Sequence, residues 1–162
     1  MKNYVEKLFT LVLIRDKTRV LLGYKKRGFG QGRWNGFGGK VEAGETAQEA
    51  AARELGEECR LMTAPDNLAK VGELEFTFEE SDTLMDVKIF TTNTYTGIPT
   101  ETDEMRPEWF PLENIPYSHM WPDDELWYPI FLRGNKFKGA FHFKGHDIIL
   151  SQSLSEVEAF TN

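Results

Sequence analysis

Six of the twelve residues from Gly28 to Gly39 are glycine, and no other stretch constrains the fold as much. Glycine in such numbers costs backbone entropy and adds no core volume, so the run reads as a loop wrapped around a ligand. Regular structure resumes soon after it. Thr46 followed by Glu49 is a capping-box pair, and Ala47 to Glu58 consists of strong helix formers with Ala52, Leu55 and Cys59 on one stripe. On that helix Glu54, Glu57 and Glu58 stand at i, i+3 and i+4, three carboxylates within about 100° of arc. Like charges so placed repel, which leaves two readings. One is a solvated acidic face with Arg53 as counter-ion. The other is a hard-cation site, since Mg²⁺ takes oxygen ligands and often joins a few carboxylates to phosphates. Gly38 and Gly39, whose backbone can approach a phosphate just ahead of the carboxylates, favour the second.

Leu8 to Ile14 is a continuous apolar run, the pattern of a strand buried on both faces. Arg15 to Thr18 reads as a turn and Arg19 to Tyr24 as a second strand. Pro65-Asp-Asn67 breaks the chain. Val71 to Phe78 and Leu84 to Thr94 alternate as two strands of a hairpin around the acidic turn Glu79 to Asp82. Glu108 to Leu112 reads as a short strand. Pro122 and Pro129 can each open a helical turn, and Phe137 to Leu150 alternates as terminal strands. The class is α/β or α+β, a mixed sheet with one main helix and a smaller one. With 162 residues, 40% of them hydrophobic, residues 1–162 are expected to form one domain with its own core. The net charge of −7 argues against a nucleic-acid polymer as partner. No apolar run is long enough for a membrane span, and the N-terminus has no signal-peptide layout. Cys59 stands alone and fits a reducing compartment. The expectation is a soluble monomer in the cytoplasm, with mitochondrial matrix and nucleus as further locations.

Gly39, then Glu45, then Arg53-Glu54-Leu55-Gly56-Glu57-Glu58-Cys59-Arg60-Leu61 resembles the signature of the Nudix hydrolases, matching six of its seven fixed positions. The departure is Arg60, where the signature has glycine just past the helix. A left-handed arginine there costs about 1–2 kcal/mol. The resemblance implies an α/β/α sandwich around a mixed β-sheet, with one main catalytic helix and a smaller helix. It also implies hydrolysis of a nucleoside diphosphate linked to another moiety. On the matching positions Glu54, Glu57 and Glu58 hold Mg²⁺, for which Mn²⁺ can substitute, with the Gly38 carbonyl as a further ligand. Arg53 and Glu45 orient the glutamates. The chemistry implied is metal-assisted attack of water on phosphorus, with a glutamate as base.

Further segments, among them Lys25-Lys-Arg-Gly-Phe-Gly30, Leu84-Met-Asp86 and Met120-Trp-Pro-Asp-Asp124, resemble the MutT-like branch of that family, which acts on oxidised purine nucleoside triphosphates such as 8-oxo-dGTP. The residues run parallel to this. A purine needs a flat apolar slot and polar groups at its edge, and Trp121 beside Asp123 and Asp124 offers both. Two adjacent acids in a partly dry pocket share about one proton near neutral pH. The plainer alternative is that they start a helix, where acids meet the positive dipole end. Asn35 can read the O6 side of a purine or simply make a turn. By resemblance Thr10, Lys25, Phe29, Phe37, Gly38, Gly39, Lys40, Phe76, Phe78, Met85 and Pro122 also line the pocket or touch the ligand, and Glu104 adds an acidic group near the metal. His142 and His146 have the spacing of a helical zinc pair, but Gly145 and the alternating phenylalanines make a strand or turn there. The implied reaction releases a monophosphate and pyrophosphate, which removes damaged purines from the nucleotide pool. The alternatives are a Nudix hydrolase for a diphosphoinositol or dinucleotide polyphosphate, and an inactive nucleotide-binding module.

Overall fold

The structure, a computed structural model, describes residues 2–161. The strands in chain order are β1 (Val5–Arg15), β2 (Arg19–Lys25), β3 (Trp34–Asn35), β4 (Phe37–Lys40), β5 (Ala69–Phe78), β6 (Thr83–Thr91), β7 (Met105–Pro111), β8 (Lys136–Lys144) and β9 (Ile148–Val157). The helices are α1 (Ala47–Cys59), between β4 and β5, and α2 (Asp124–Leu132), between β7 and β8. The sheet is mixed, ordered β3-β2-β1-β6-β5-β8-β9, with β4 on β1 and β7 on β2. Two pairings are parallel, β1 with β6 and β5 with β8.

The apolar run of β1 is buried on both faces because two cores meet it. Val12 and Ile14 join Phe37, Leu55 and Cys59 beneath α1, whereas Leu13 joins Trp127, Tyr128 and Phe137 on the α2 side. This is the expected sandwich, one helix on each face of a curled mixed sheet. The capping box forms as the sequence reads: Thr46 Oγ1 accepts from the Glu49 N–H at 3.1 Å and Glu49 Oε1 accepts from the Thr46 N–H at 2.8 Å. At the other end of α1, Arg60 is left-handed, with φ 68° and ψ 16°, and its N–H donates to the Gly56 carbonyl.

Four expectations need correction. The glycine-rich run is not all loop, because β3 and β4 lie inside it and β4 pairs antiparallel with β1. That pairing is closer than a side chain would permit, since a Cβ on Gly38 would come within 1.9 Å of the Thr10 carbonyl oxygen. Pro129 lies inside α2 and opens no turn. The strand after the acidic turn stops at Thr91, and the last strand continues past Leu150 to Val157.

Candidate active site

A cavity of about 230 Å³ opens between the sheet and the loops around it. Gly38, Gly39, Lys25 and Glu58 lie in its wall, as do Asn35, Trp121, Asp123 and Asp124. Thr10, Phe29, Phe76, Phe78 and Met85 complete the set of sequence-predicted residues that it gathers. Phe37, Lys40 and Pro122 are not in the wall. Phe37 is fully buried in the core beneath α1, Lys40 is exposed at the end of β4, and Pro122 lies half-buried beside Trp121.

At the α1 end the carboxylates are held by cations. The Arg53 guanidinium donates from Nε to Glu45 Oε2 at 2.7 Å and from Nη2 to Glu45 Oε1 at 2.8 Å. Its Nη1 reaches Glu54 Oε1 at 3.0 Å and Glu57 at 3.3 Å. The bond from Arg53 draws the Glu45 carboxyl down to about 2. Glu54 packs so closely on β4 that a Cβ on Gly39 would stand 2.6 Å from its Oε1, and burial raises its pKa. Glu58 is the deepest of the three. Its Oε1 accepts from the Gly38 N–H at 2.9 Å, and Lys25 Nζ stands 3.6 Å from Oε2. Burial nevertheless pushes the carboxyl up to about 7. Glu57 is more than half exposed. Glu104, outside the wall, is bound by Arg27 at 2.7 Å and by Lys25 at 3.4 Å. Among the described residues no three acidic, histidine or cysteine side chains have closed to metal-holding separations. The donor chemistry still suits a hard cation, because the carboxylates are crowded, partly desolvated and all oxygen.

At the α2 end the acids are shut away. Asp123 and Asp124 are 2% and 3% exposed. Trp127, one helical turn on, donates from Nε1 to Asp123 Oδ2 at 2.8 Å. Burial raises Asp123 to about 6, and burial together with the neighbouring Asp123 charge raises Asp124 well above the usual carboxylate range. Burial and mutual proximity thus push the two acids up as a pair, which shares a proton above the ordinary carboxylate range. Among the described residues, four buried side-chain oxygens here and nearby have no partner, namely Thr10 Oγ1, Asp123 Oδ1, Asp124 Oδ2 and the Tyr128 hydroxyl. Buried polar atoms are normally satisfied, so an unpaired group of this kind in a cavity points to a ligand. Asn35 lines the cavity and also makes a local turn, its Oδ1 accepting from the Gly36 N–H at 2.8 Å.

Sequence reasoning missed Trp127, although its i+4 spacing from Asp123 was a signal. It also missed His146, whose ring lies 4.9 Å from that of Trp121. His142 is separate from this cluster, its Nδ1 bonded to Thr77 Oγ1 at 2.8 Å.

A family model described as the NUDIX domain matches residues 7–131. The chain is 54% identical over 155 residues to the oxidized purine nucleoside triphosphate hydrolase of Danio rerio, covering 96% of this chain and 98% of the relative. It is also 54% identical over 154 residues to the protein of the same name from Mus musculus, covering 95% and 97%. A crystal structure of a mutator MutT protein from Bacillus halodurans superposes with a TM-score of 0.80 at 24% identity, covering 91% of this chain and 97% of that one. That last likeness is one of fold.

Proposed function

The chain belongs to the Nudix family, and on that premise we propose that it hydrolyses oxidised purine nucleoside triphosphates, as the two animal relatives are named for doing, to monophosphate and pyrophosphate. The observation that carries this reading is the single cavity whose wall holds both Trp121 with the buried acids and the Gly38–Glu58 end of the carboxylate face. One ligand with a flat base and a polyphosphate fits such a wall. The indole supplies the apolar slot, and the acid pair, with one proton between its two members, offers a donor and an acceptor to the base edge.

At the other end Lys25 brings positive charge to the phosphates, and the backbone of Gly38 and Gly39 permits their close approach. Members of the family generally use divalent metals. Glu54, Glu57, Glu58 and the Gly38 carbonyl are the groups that would hold one, and Mg²⁺ is the ion we propose. When bound, such a cation neutralises polyphosphate charge as a Lewis acid. Arg53, anchored on Glu45, fixes where Glu54 and Glu57 point, and a carboxylate of this face takes the proton of the attacking water.

Pyrophosphate release should be followed on 8-oxo-dGTP, 2-hydroxy-dATP, O6-methyl-dGTP and unmodified dGTP, with and without Mg²⁺. We expect metal-dependent turnover with the highest kcat/KM on a modified purine. Faster turnover of a diphosphoinositol or a dinucleotide polyphosphate would sink the reading.

A further inference from the structure

We propose that Arg33 is a positioning residue for base recognition, which clamps the turn between β8 and β9 onto Trp121 from outside the cavity wall and so fixes the purine slot. The proposal rests on the reading of the cavity as a purine site. Three contacts converge on one guanidinium. Its Cζ lies 4.4 Å from the centre of the Trp121 ring, within reach for a cation over an indole face. Its Nη1 donates to the His146 carbonyl at 2.8 Å. Its Nη2 pairs with the Asp147 carboxylate. His146 and Asp147 belong to the β8–β9 turn, far from Arg33 in sequence. With the turn tied down, the His146 ring stands 5.2 Å from Phe29 as well as against Trp121.

This choice of residue has a chemical reason. Arginine's planar fork can donate to two acceptors while its face lies on an aromatic ring, and its weak hydration makes that burial cheap. Lysine offers a point charge alone. The charge also reaches the two acids, because Arg33 opposes the upward effect of burial on both Asp123 and Asp124. One side chain therefore couples three parts of the slot, the turn, the indole and the acid pair. Phe29 stacks on the same indole at 5.1 Å and 27° while remaining 54% exposed. A base entering the slot meets an indole already held in orientation, which lowers the ordering cost of binding. Loss of the clamp should therefore weaken base binding and leave the phosphate chemistry at α1 comparatively intact.

Steady-state kinetics on 8-oxo-dGTP and dGTP for wild type, Arg33→Gln, Arg33→Lys and Asp147→Asn test this. Arg33→Gln should raise KM for 8-oxo-dGTP by about tenfold, with a smaller fall in kcat, and should narrow the preference over dGTP. Arg33→Lys should recover part of the loss. Asp147→Asn, at a carboxylate 83% exposed and so no threat to folding, should raise KM in the same direction by less. If Arg33→Gln and Asp147→Asn both leave KM within about twofold of wild type, where loss of a charged bond would show more, the clamp is wrong. It is equally wrong if Arg33→Gln lowers kcat/KM equally on both nucleotides together with Tm, since that is general destabilisation. Those results leave the purine reading standing. A wild type without preference for the oxidised base removes both.

Discussion

Glu58 on α1 and the acids at the start of α2 line the same cavity, and the carboxylates at its two ends live under opposite electrostatic conditions. On α1, Glu54 and Glu57 share Arg53, and Glu58 has Lys25 and a backbone N–H. At α2, Asp123 receives the Trp127 indole N–H, while Oδ1 of Asp123 and Oδ2 of Asp124 have no partner. One group is crowded but supplied with cations. The other is deeply buried, and the charge that opposes that burial is Arg33, on the face of the indole. Acids meant to hold a cation and phosphates are useful when ionised; acids meant to read a base edge are useful when one is a donor and the other an acceptor. The difference lies in burial and counter-ions, since the side-chain chemistry is nearly the same.

The largest effect should come from the α1 end. Glu58→Gln keeps size, helix propensity and an oxygen for the Gly38 N–H, and removes one charge from the face. Turnover should fall by orders of magnitude. Stability should hold or rise, because a buried carboxylate and its contacts with like charge are relieved. Kinetics alongside thermal melts decide this. Near-normal activity would return the acidic face to a solvated surface and erase the contrast between the two ends.

At the α2 end the effect should be on selectivity. Asp124→Asn fixes a neutral amide where the wild type exchanges donor and acceptor roles. The ratio of activities on 8-oxo-dGTP and 2-hydroxy-dATP should change by about tenfold to a hundredfold, the worth of a charged hydrogen bond. It should also change the response of stability to pH. Because burial raises the Asp124 pKa in the folded state, the wild type takes up a proton on folding once the pH exceeds the ordinary carboxylate range. The stability this acid contributes is therefore complete at low pH and lost as pH rises. The Tm of Asp124→Asn should gain on that of the wild type as pH rises above the ordinary carboxylate range. Equal losses on both substrates and a constant Tm difference would leave Asp124 as a packing contact.

The two ends also differed in how legible they were. Helix α1, its capping box and its three glutamates follow from spacings of three and four residues, which are local and survive any tertiary context, whereas the left-handed turn at Arg60 was implied only by the signature glycine that it replaces. The α2 acids stood out only beside Trp121, and the cavity wall that they share with Thr10 of β1 and with Phe76 and Phe78 of β5 is assembled from distant parts of the chain. The parallel pairing of β1 with β6 and of β5 with β8 is set by packing between distant segments, which periodicity within one segment does not encode. Phe37 entered the expected ligand set by resemblance, yet a strand alternates its faces, and the Phe37 ring lies in the core while Gly38 meets the cavity. His146 was weighed only against a zinc spacing, because its real neighbours, Phe29 and Trp121, lie in other parts of the chain.

The smallest effect concerns the strain that α1 carries beside its working face. Arg60 has φ 68°, a conformation that costs an L side chain about 1–2 kcal/mol and a glycine almost nothing. Its backbone N–H closes the helix on Gly56, a bond glycine keeps. Arg60→Gly should therefore raise stability, but by less than the full strain, since glycine also frees the unfolded chain; a gain of up to about 1 kcal/mol is expected in denaturant melts. Glu58 stands two residues before this cap, so the same variant asks whether strain at the helix end sets the carboxylate's position. If kcat is unchanged while stability rises, the α1 face is held by Lys25, Arg53 and the Gly38 N–H, independently of how the helix ends. A fall in stability would show that the Arg60 side chain makes a contact worth more than the strain, and a fall in kcat would show that the left-handed cap positions Glu58.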